Sequence, residues 1–192
     1  MIRDEHIRQW HHLAPWTHWG HVEQDLVICR AIVEIFSDSF LAQELAWRGG
    51  TALHKLYLQP QARYSEDIDL VQIHPGPIKP IVERLDKALA WLPGKRFDIR
   101  RFGFRLRFRY ESKIPPFEQM SLKVETNTYE HFAEPDPRRA IQSGGRFHQY
   151  AFHRYGRTAE AADILPVVLN RFSLPAYTEI PARSNEQNPR NR

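Results

Sequence analysis

The chain has 192 residues, of which 42% are hydrophobic and 26% charged, as in globular proteins large enough to bury a core within one domain. Its formal net charge of +4 permits an anionic partner but does not identify one. The single cysteine, Cys29, excludes an internal disulfide. We expect a cytoplasmic protein with no membrane partner, because the sequence shows neither a secretory signal nor an apolar run of about 20 residues.

The predicted organisation has three parts. Residues 1–19, rich in tryptophan and histidine, are expected to form a short helix and a loop that pack onto the body. Residues 20–150 are the expected core domain, and residues 151–192 are expected to be a partly disordered C-terminal segment. Within the core, residues 23–37 carry apolar side chains with a period of about 3.6 residues, which predicts an amphipathic helix. A short helix or strand over residues 41–47 then leads into a glycine pair.

The glycine pair, Gly49 and Gly50, opens onto a helix-compatible segment that begins at Thr51. Glycine accepts positive φ and lets an anion approach the backbone closely. Free N–H groups at a helix N-terminus attract phosphate. We expect Thr51 to cap the helix or to bond a phosphate oxygen. Arg48 and Lys55 flank the turn and could neutralise a triphosphate, although for Lys55 a solvated position on the helix surface is the favoured interpretation.

Two aspartates, Asp67 and Asp69, stand one residue apart before an apolar stretch. In a strand both carboxylates point to one face while Ile68 enters the other. Like charges this close repel each other unless a cation lies between them, and Mg²⁺ prefers a few carboxylate oxygens together with phosphate oxygens. The spacing predicts a phosphate-handling Mg²⁺ site, in which Ser65 orients Asp67 or touches a phosphate. The competing interpretation is a polar strand end with no ligand.

The elements after the acidic strand predict an α+β or mixed α/β fold. They are a helix over residues 78–91 and strands over residues 97–101, 103–110 and 119–126. In the second of these strands Arg105, Arg107 and Arg109 alternate with apolar residues, which predicts an apolar inner face and an arginine outer face. That outer face is either simply solvated or turned towards RNA, and we favour RNA.

Glu125 is a candidate third acid in the last predicted strand. Residues 120–127 alternate between apolar and polar, so Glu125 and Lys123 share the polar face. If this strand lies beside the strand of Asp67 and Asp69, Glu125 completes an acidic triad. Lys123 would then meet a phosphate or an acidic neighbour.

Two stretches together resemble the AbiEii/AbiGii family, the nucleotidyltransferase toxins of type IV toxin–antitoxin (abortive infection, phage defence) systems. They are residues 47–57, WRGGTALHKLY, and residues 63–70, RYSEDIDL. The resemblance covers roughly residues 20–130. It implies a polymerase-β-type nucleotidyltransferase fold, with a short mixed sheet flanked by helices. It also implies NTP and Mg²⁺ as ligands, a cognate antitoxin, and an acceptor that in some members is the 3′ end of tRNA.

The motif match also implies roles for individual residues. Gly49, Gly50 and Thr51 would bind the NTP phosphates, while the paired aspartates would hold the metal and Glu125 would be the third acid. The candidate residues are Asp67, Asp69 and Glu125 for catalysis and metal binding; Arg48, Gly49, Gly50, Thr51, Ser65 and Lys123 for the nucleotide; and Arg105, Arg107 and Arg109 for RNA.

The C-terminal part departs from the family pattern. Members usually continue into a helical region with a Lys…Lys…Arg-Asp type motif, and no match to it follows Arg139. Asp163 and Arg171 lie in a short possible helix whose surroundings do not match. On the two matching stretches, the favoured function is an enzyme that transfers a nucleoside monophosphate from a Mg²⁺-bound NTP to an RNA acceptor, while the missing motif supports the first of the two alternatives. The alternatives are a catalytically incomplete nucleotide- or RNA-binding module and a purely structural interaction domain.

Overall fold

Helices and strands alternate irregularly through the computed structural model, which describes residues 2–56 and 64–131. The helices are α1 Asp4–His11, α2 Trp19–Ser37, α3 Ser39–Glu44, α4 Gly49–Leu56 and α5 Lys79–Ala88. The strands are β1 Leu45–Arg48, β2 Asp67–Gln72, β3 Arg96–Arg100, β4 Gly103–Glu111 and β5 Gln119–Asn127. The predicted α+β class, a short mixed sheet flanked by helices, is confirmed.

The strands of the described ranges form one five-stranded sheet in the order β1-β2-β5-β4-β3. Strands β2 and β5 are parallel, whereas the other neighbours are antiparallel. A parallel pair requires a crossover, and here α5 and the β3–β4 hairpin supply it. The prediction that the strand of Glu125 lies beside the strand of Asp67 and Asp69 is confirmed, because Asp69 is in register with Glu125.

One face of the sheet is apolar and packs against the helices. Alternation along β4 and β5 buries Phe104, Leu106, Phe108, Leu122 and Val124 on this face, where α2 and its neighbours α3 and α5 complete the core. Residues of opposite parity therefore form the second, polar face. That face carries the acidic and arginine residues singled out above.

Helix α2 lies deeper than its sequence pattern predicts. It begins at Trp19, and Glu23, Gln24 and Asp25 are buried along with its apolar residues. The helix predicted over residues 23–37 is present, but its apolar period did not indicate that these three polar residues are buried. Internal partners explain the burial. The Gln24 amide donates to the carbonyl of Ser121 at 3.0 Å, and the Glu23 carboxylate accepts from the backbone N–H of Lys113 at 2.8 Å.

Helix α1 packs onto the body, as predicted for the N-terminal residues. Ile7 and Trp10 are buried against α2, and the Trp10 indole donates to Asp25 Oδ2 at 3.0 Å. The three-part division of the chain remains a prediction, since residues 132–192 lie outside the described ranges. Within those ranges, no helix has the length and apolar character needed to cross a membrane.

Candidate active site

Asp67 and Asp69 lie side by side on the polar face at the beginning of β2. Ile68 between them is fully buried on the opposite face, as the alternation predicts. Asp69 has Arg48 of β1 on one side and Glu125 of β5 on the other. The strand register therefore brings three carboxylates and one guanidinium to a single stretch of the sheet.

Two of these carboxylates are ion-paired with basic residues of the same face. Lys123 Nζ lies 3.1 Å from Asp67 Oδ1, and Arg105 forms an ion pair with Glu125. The side chains of Asp67 and Glu125 nevertheless remain 36% and 40% exposed, so an incoming ligand has access to them. Lys123 therefore meets an acidic neighbour, which is one of its two predicted contacts.

Within the acidic group, Asp69 has a raised pKa. Burial, and next the nearby negative charges of Asp67 and Glu125, raise its pKa from 3.8 to about 6 against the opposing effect of Arg48 and Lys123. A carboxyl group in this state gains more from a bound cation than an ordinary surface carboxylate does. The charged form of Asp69 is therefore disfavoured in the absence of a cation.

The glycine turn comes into direct contact with this carboxylate. Gly49 has a φ of +89°, a conformation that favours glycine, and a Cβ added there would overlap Asp69 Oδ2. At Gly50 a Cβ would meet no atom within 4 Å. Only glycine at position 49 allows the start of α4 and the acidic pair to lie this close, while Gly50 leaves open space beside the helix N-terminus.

Thr51 and Ser65 tie α4 to the beginning of β2. The Thr51 hydroxyl donates to the carbonyl of Asp67 at 2.6 Å and bonds the Ser65 hydroxyl. The sequence predicted that Thr51 caps the helix or bonds a phosphate oxygen. In the structure Thr51 is buried, and its hydroxyl bonds other groups of the protein. The pair therefore fixes the glycine turn relative to the aspartates.

Arg48 is held by a residue that the sequence analysis did not single out. Its guanidinium lies 2.7 Å from Glu130 Oε2, across 82 residues of chain. The segment that follows β5 reaches back over the end of β2, where a ring nitrogen of His131 lies 3.2 Å from the carbonyl oxygen of Gln72. A lone glutamate after a strand carries no sequence signal, which is why this partner was missed.

The expectation that Lys55 is a solvated helix-surface residue is wrong. Lys55 is only 6% exposed, and its ammonium lies 2.7 Å from Asp25 Oδ1 in α2. Burial acts to lower its pKa, but the neighbouring Cys29 and Asp25 outweigh that effect and raise it. This buried ion pair anchors α4, the helix that begins at the glycine turn, to the helical layer.

The three arginines of β4 occupy the same polar face as the acids. Arg105 is taken up by Glu125, Arg107 stands between Lys123 and Arg96 in the strand register, and Arg109 is exposed. No acid stands among these arginines in the sequence; their acidic neighbour, Glu125, comes from β5. A basic stripe therefore extends from the acidic group towards β3.

The donor set fits a hard divalent cation in part. No group of three His, Cys, Asp or Glu side chains in residues 2–56 and 64–131 converges as a metal cluster. Asp67 and Asp69 supply oxygens from one face, and burial together with the neighbouring carboxylates disfavours the charged form of Asp69, which a bound cation would offset. Magnesium commonly takes one or two carboxylates and completes its shell with water and substrate phosphate, so a two-carboxylate site suffices.

Comparison with known families settles the chain's relationship. The family described as nucleotidyl transferase AbiEii toxin, type IV TA system, matches residues 30–163, which is well over half of the chain. The chain belongs to this family. The match includes β1, the glycine turn, the acidic pair of β2 and the whole of β5. Family membership thus rests on the segment that builds the site.

Solved structures show likeness at low identity. JHP933 from Helicobacter pylori is 24% identical, with 59% of this chain and 46% of that one covered and a TM-score of 0.41. MenT4, the nucleotidyltransferase toxin Rv2826c from Mycobacterium tuberculosis H37Rv, is 14% identical, with 74% and 52% covered and a TM-score of 0.39. The chain spans about half the length of both proteins. No curated protein gives a significant match.

Proposed function

We propose that this AbiEii-family chain is a nucleotidyltransferase toxin that transfers a nucleoside monophosphate from an NTP to an RNA acceptor. The observation that carries the proposal is the close approach of Asp69, one of the paired aspartates of β2, to the positive-φ glycine at the start of α4. Carboxylates for a metal and a helix N-terminus for phosphate are the two parts that a metal–triphosphate complex requires. The 3′ end of tRNA, a cognate antitoxin and a cytoplasmic location belong to the same proposal.

Each residue has a role in the proposed reaction. The backbone at Gly49 and Gly50 receives the triphosphate, and Arg48 and Lys123 offset its charge. Bound Mg²⁺ would supply charge stabilisation at the attacking and leaving oxygens. Asp67 and Asp69 would hold the metal, while Glu125 would help to hold it or would take the acceptor proton.

The reaction is an in-line displacement at phosphorus. The acceptor hydroxyl oxygen forms a bond to the α-phosphorus as the bond between that phosphorus and the α–β bridging oxygen breaks. Pyrophosphate leaves, and the hydroxyl proton passes to Glu125 or to water. Thr51 and Ser65 act by holding the turn and the strand together. Arg105, Arg107 and Arg109 provide a basic surface for the RNA backbone.

Incubation of the full chain with total RNA and each α-labelled NTP tests this function. The proposal predicts Mg²⁺-dependent incorporation of label by the wild type and none by Asp69→Asn, a variant that keeps the side-chain shape and removes the charge. Asp98→Asn is the matched control, because Asp98 lies on the same face in β3, paired with Arg96. Tight Mg²⁺–NTP binding without any incorporation would favour the incomplete binding module instead.

A further inference from the structure

Two aromatic rings stand exposed together at one end of the sheet. Phe102, in the turn between β3 and β4, is 47% exposed, and Tyr129, just after β5, is 72% exposed. Their ring centroids are 5.3 Å apart and the ring planes are tilted by 54°. Exposed apolar rings that lie together form a patch of the kind that marks an interaction surface.

The backbone holds both rings in place. The N–H of Thr128 donates to the carbonyl of Phe102 at 2.9 Å, and the Asn127 side chain accepts from the N–H groups of Tyr129 and Glu130. A Cβ added at Gly103, beside Phe102, would overlap the carbonyl of Thr126, so the backbone of the hairpin approaches β5 closely here. A preorganised pair of rings loses little entropy when a flat ligand stacks on it.

The charge around the rings indicates the class of ligand. The Arg101 guanidinium lies 4.9 Å from the Phe102 ring centroid, and Arg100 beside it is exposed. Residues 99–109 contain five arginines and no acid. Aromatic rings beside a basic stripe are the combination that single-stranded nucleic acids bind, since bases stack on the rings while phosphates meet the arginines.

The rings also lie within reach of the acidic group. Tyr129 follows Glu125 by four residues, so at a rise of about 3.3 Å per residue the two are at most ~13 Å apart along the chain. Phe102 precedes Arg105, the partner of Glu125, by three residues. Each ring therefore lies within four residues, along the chain, of Glu125 or its ion-pair partner.

We propose that Phe102 and Tyr129 form a stacking platform for the bases of a single-stranded nucleic acid, which is the acceptor of the transfer proposed above. The inference rests on that function for the identity of the strand as acceptor, while the binding itself is tested separately. A protein segment packed on the rings is the competing occupant. The arginine stripe complements an anionic polymer, which favours the nucleic acid.

Fluorescence anisotropy with a labelled single-stranded RNA and a duplex of the same sequence tests the platform in the full chain. Phe102→Leu/Tyr129→Leu keeps apolar bulk and removes both π faces, so single-strand binding is expected to weaken about 5- to 100-fold. The salt dependence of binding is expected to stay unchanged, because no phosphate contact is lost. Phe102→Tyr/Tyr129→Phe keeps both rings and is expected to bind as the wild type does.

Phe117→Leu is the matched control. Phe117 is 54% exposed and lies in the loop at the opposite end of the β4–β5 pair, so its loss is expected to leave binding unchanged. Wild-type affinity in the double Leu variant, or equal weakening in Phe117→Leu, would overturn the platform. Calorimetry with Mg²⁺–NTP separates the two proposals. RNA binding that depends on the rings, without any NTP binding, would refute the nucleotidyl transfer and leave the platform. NTP binding without ring-dependent RNA binding would refute the platform alone.

Discussion

Replacing Asp69 by asparagine is expected to stabilise the metal-free protein at pH 8. The pKa of Asp69 is raised from 3.8 to about 6, first by burial and then by Asp67 and Glu125. An acid with a higher pKa in the folded state binds its proton more tightly there. Stability therefore falls as pH rises from about 4 to about 6, and above that window the penalty is constant. Asp69→Asn removes the ionisation and with it the penalty.

The size of the penalty follows from the pKa. One pKa unit corresponds to about 1.4 kcal/mol, so ionising Asp69 costs the metal-free fold at most about 3 kcal/mol. Solvent screening at this partly exposed position reduces the expected gain in unfolding free energy to about 1–2 kcal/mol. For a domain of this size that corresponds to roughly 3–6 °C in Tm.

Thermal unfolding of wild type and Asp69→Asn in EDTA, at about pH 4, 6 and 8, measures the effect. The advantage of the variant should grow from pH 4 to pH 8, and added Mg²⁺ should stabilise the wild type but not the variant. Asp98→Asn, the control on the same sheet face, should keep the Mg²⁺ response. An Asp69→Asn protein that is less stable than the wild type at pH 8 in EDTA would refute the reasoning.

Two further substitutions test the contacts that hold the site together. Gly49→Ala should destabilise the protein by at least about 1 kcal/mol, since alanine resists positive φ and its Cβ overlaps Asp69. Gly50→Ala should be neutral or slightly stabilising. Equal effects of the two substitutions in chemical unfolding would contradict the geometry of the glycine turn. Lys55→Met leaves Asp25 buried without its cation and should cost about 3–5 kcal/mol. The control Lys79→Met removes an exposed ion pair and should change little, so similar losses at both lysines would contradict the buried pair.

Local patterns in the sequence were enough to predict most of the strands and the acidic pair. Alternation in residues 103–110 and 119–126 reflects a sheet with one buried face, and that same parity placed Glu125 and Lys123 on the side of the aspartates. The glycine turn was predicted from chemistry that acts over a few residues. Such features depend on residues close to one another in the chain, so they can be predicted from local sequence patterns.

Several ion pairs between residues distant in sequence could not be predicted. Lys55 reads as a helix-surface residue until α2 brings Asp25 against it, and the arginines of β4 read as free until β5 supplies Glu125. Arg48 likewise pairs with Glu130 only because the segment that follows β5 reaches back over the end of β2. In each case a charge is balanced by tertiary packing, for which periodicity contains no signal.

Calorimetric titration of the full chain with each NTP, in Mg²⁺ and in EDTA, tests the central claim most directly. The account predicts that the wild type binds at least one NTP only when Mg²⁺ is present, and that Asp67→Asn/Asp69→Asn, although folded, does not. Equal NTP binding by the wild type and the double variant, or binding that is the same with and without Mg²⁺, would contradict the assignment of these two aspartates as the metal ligands.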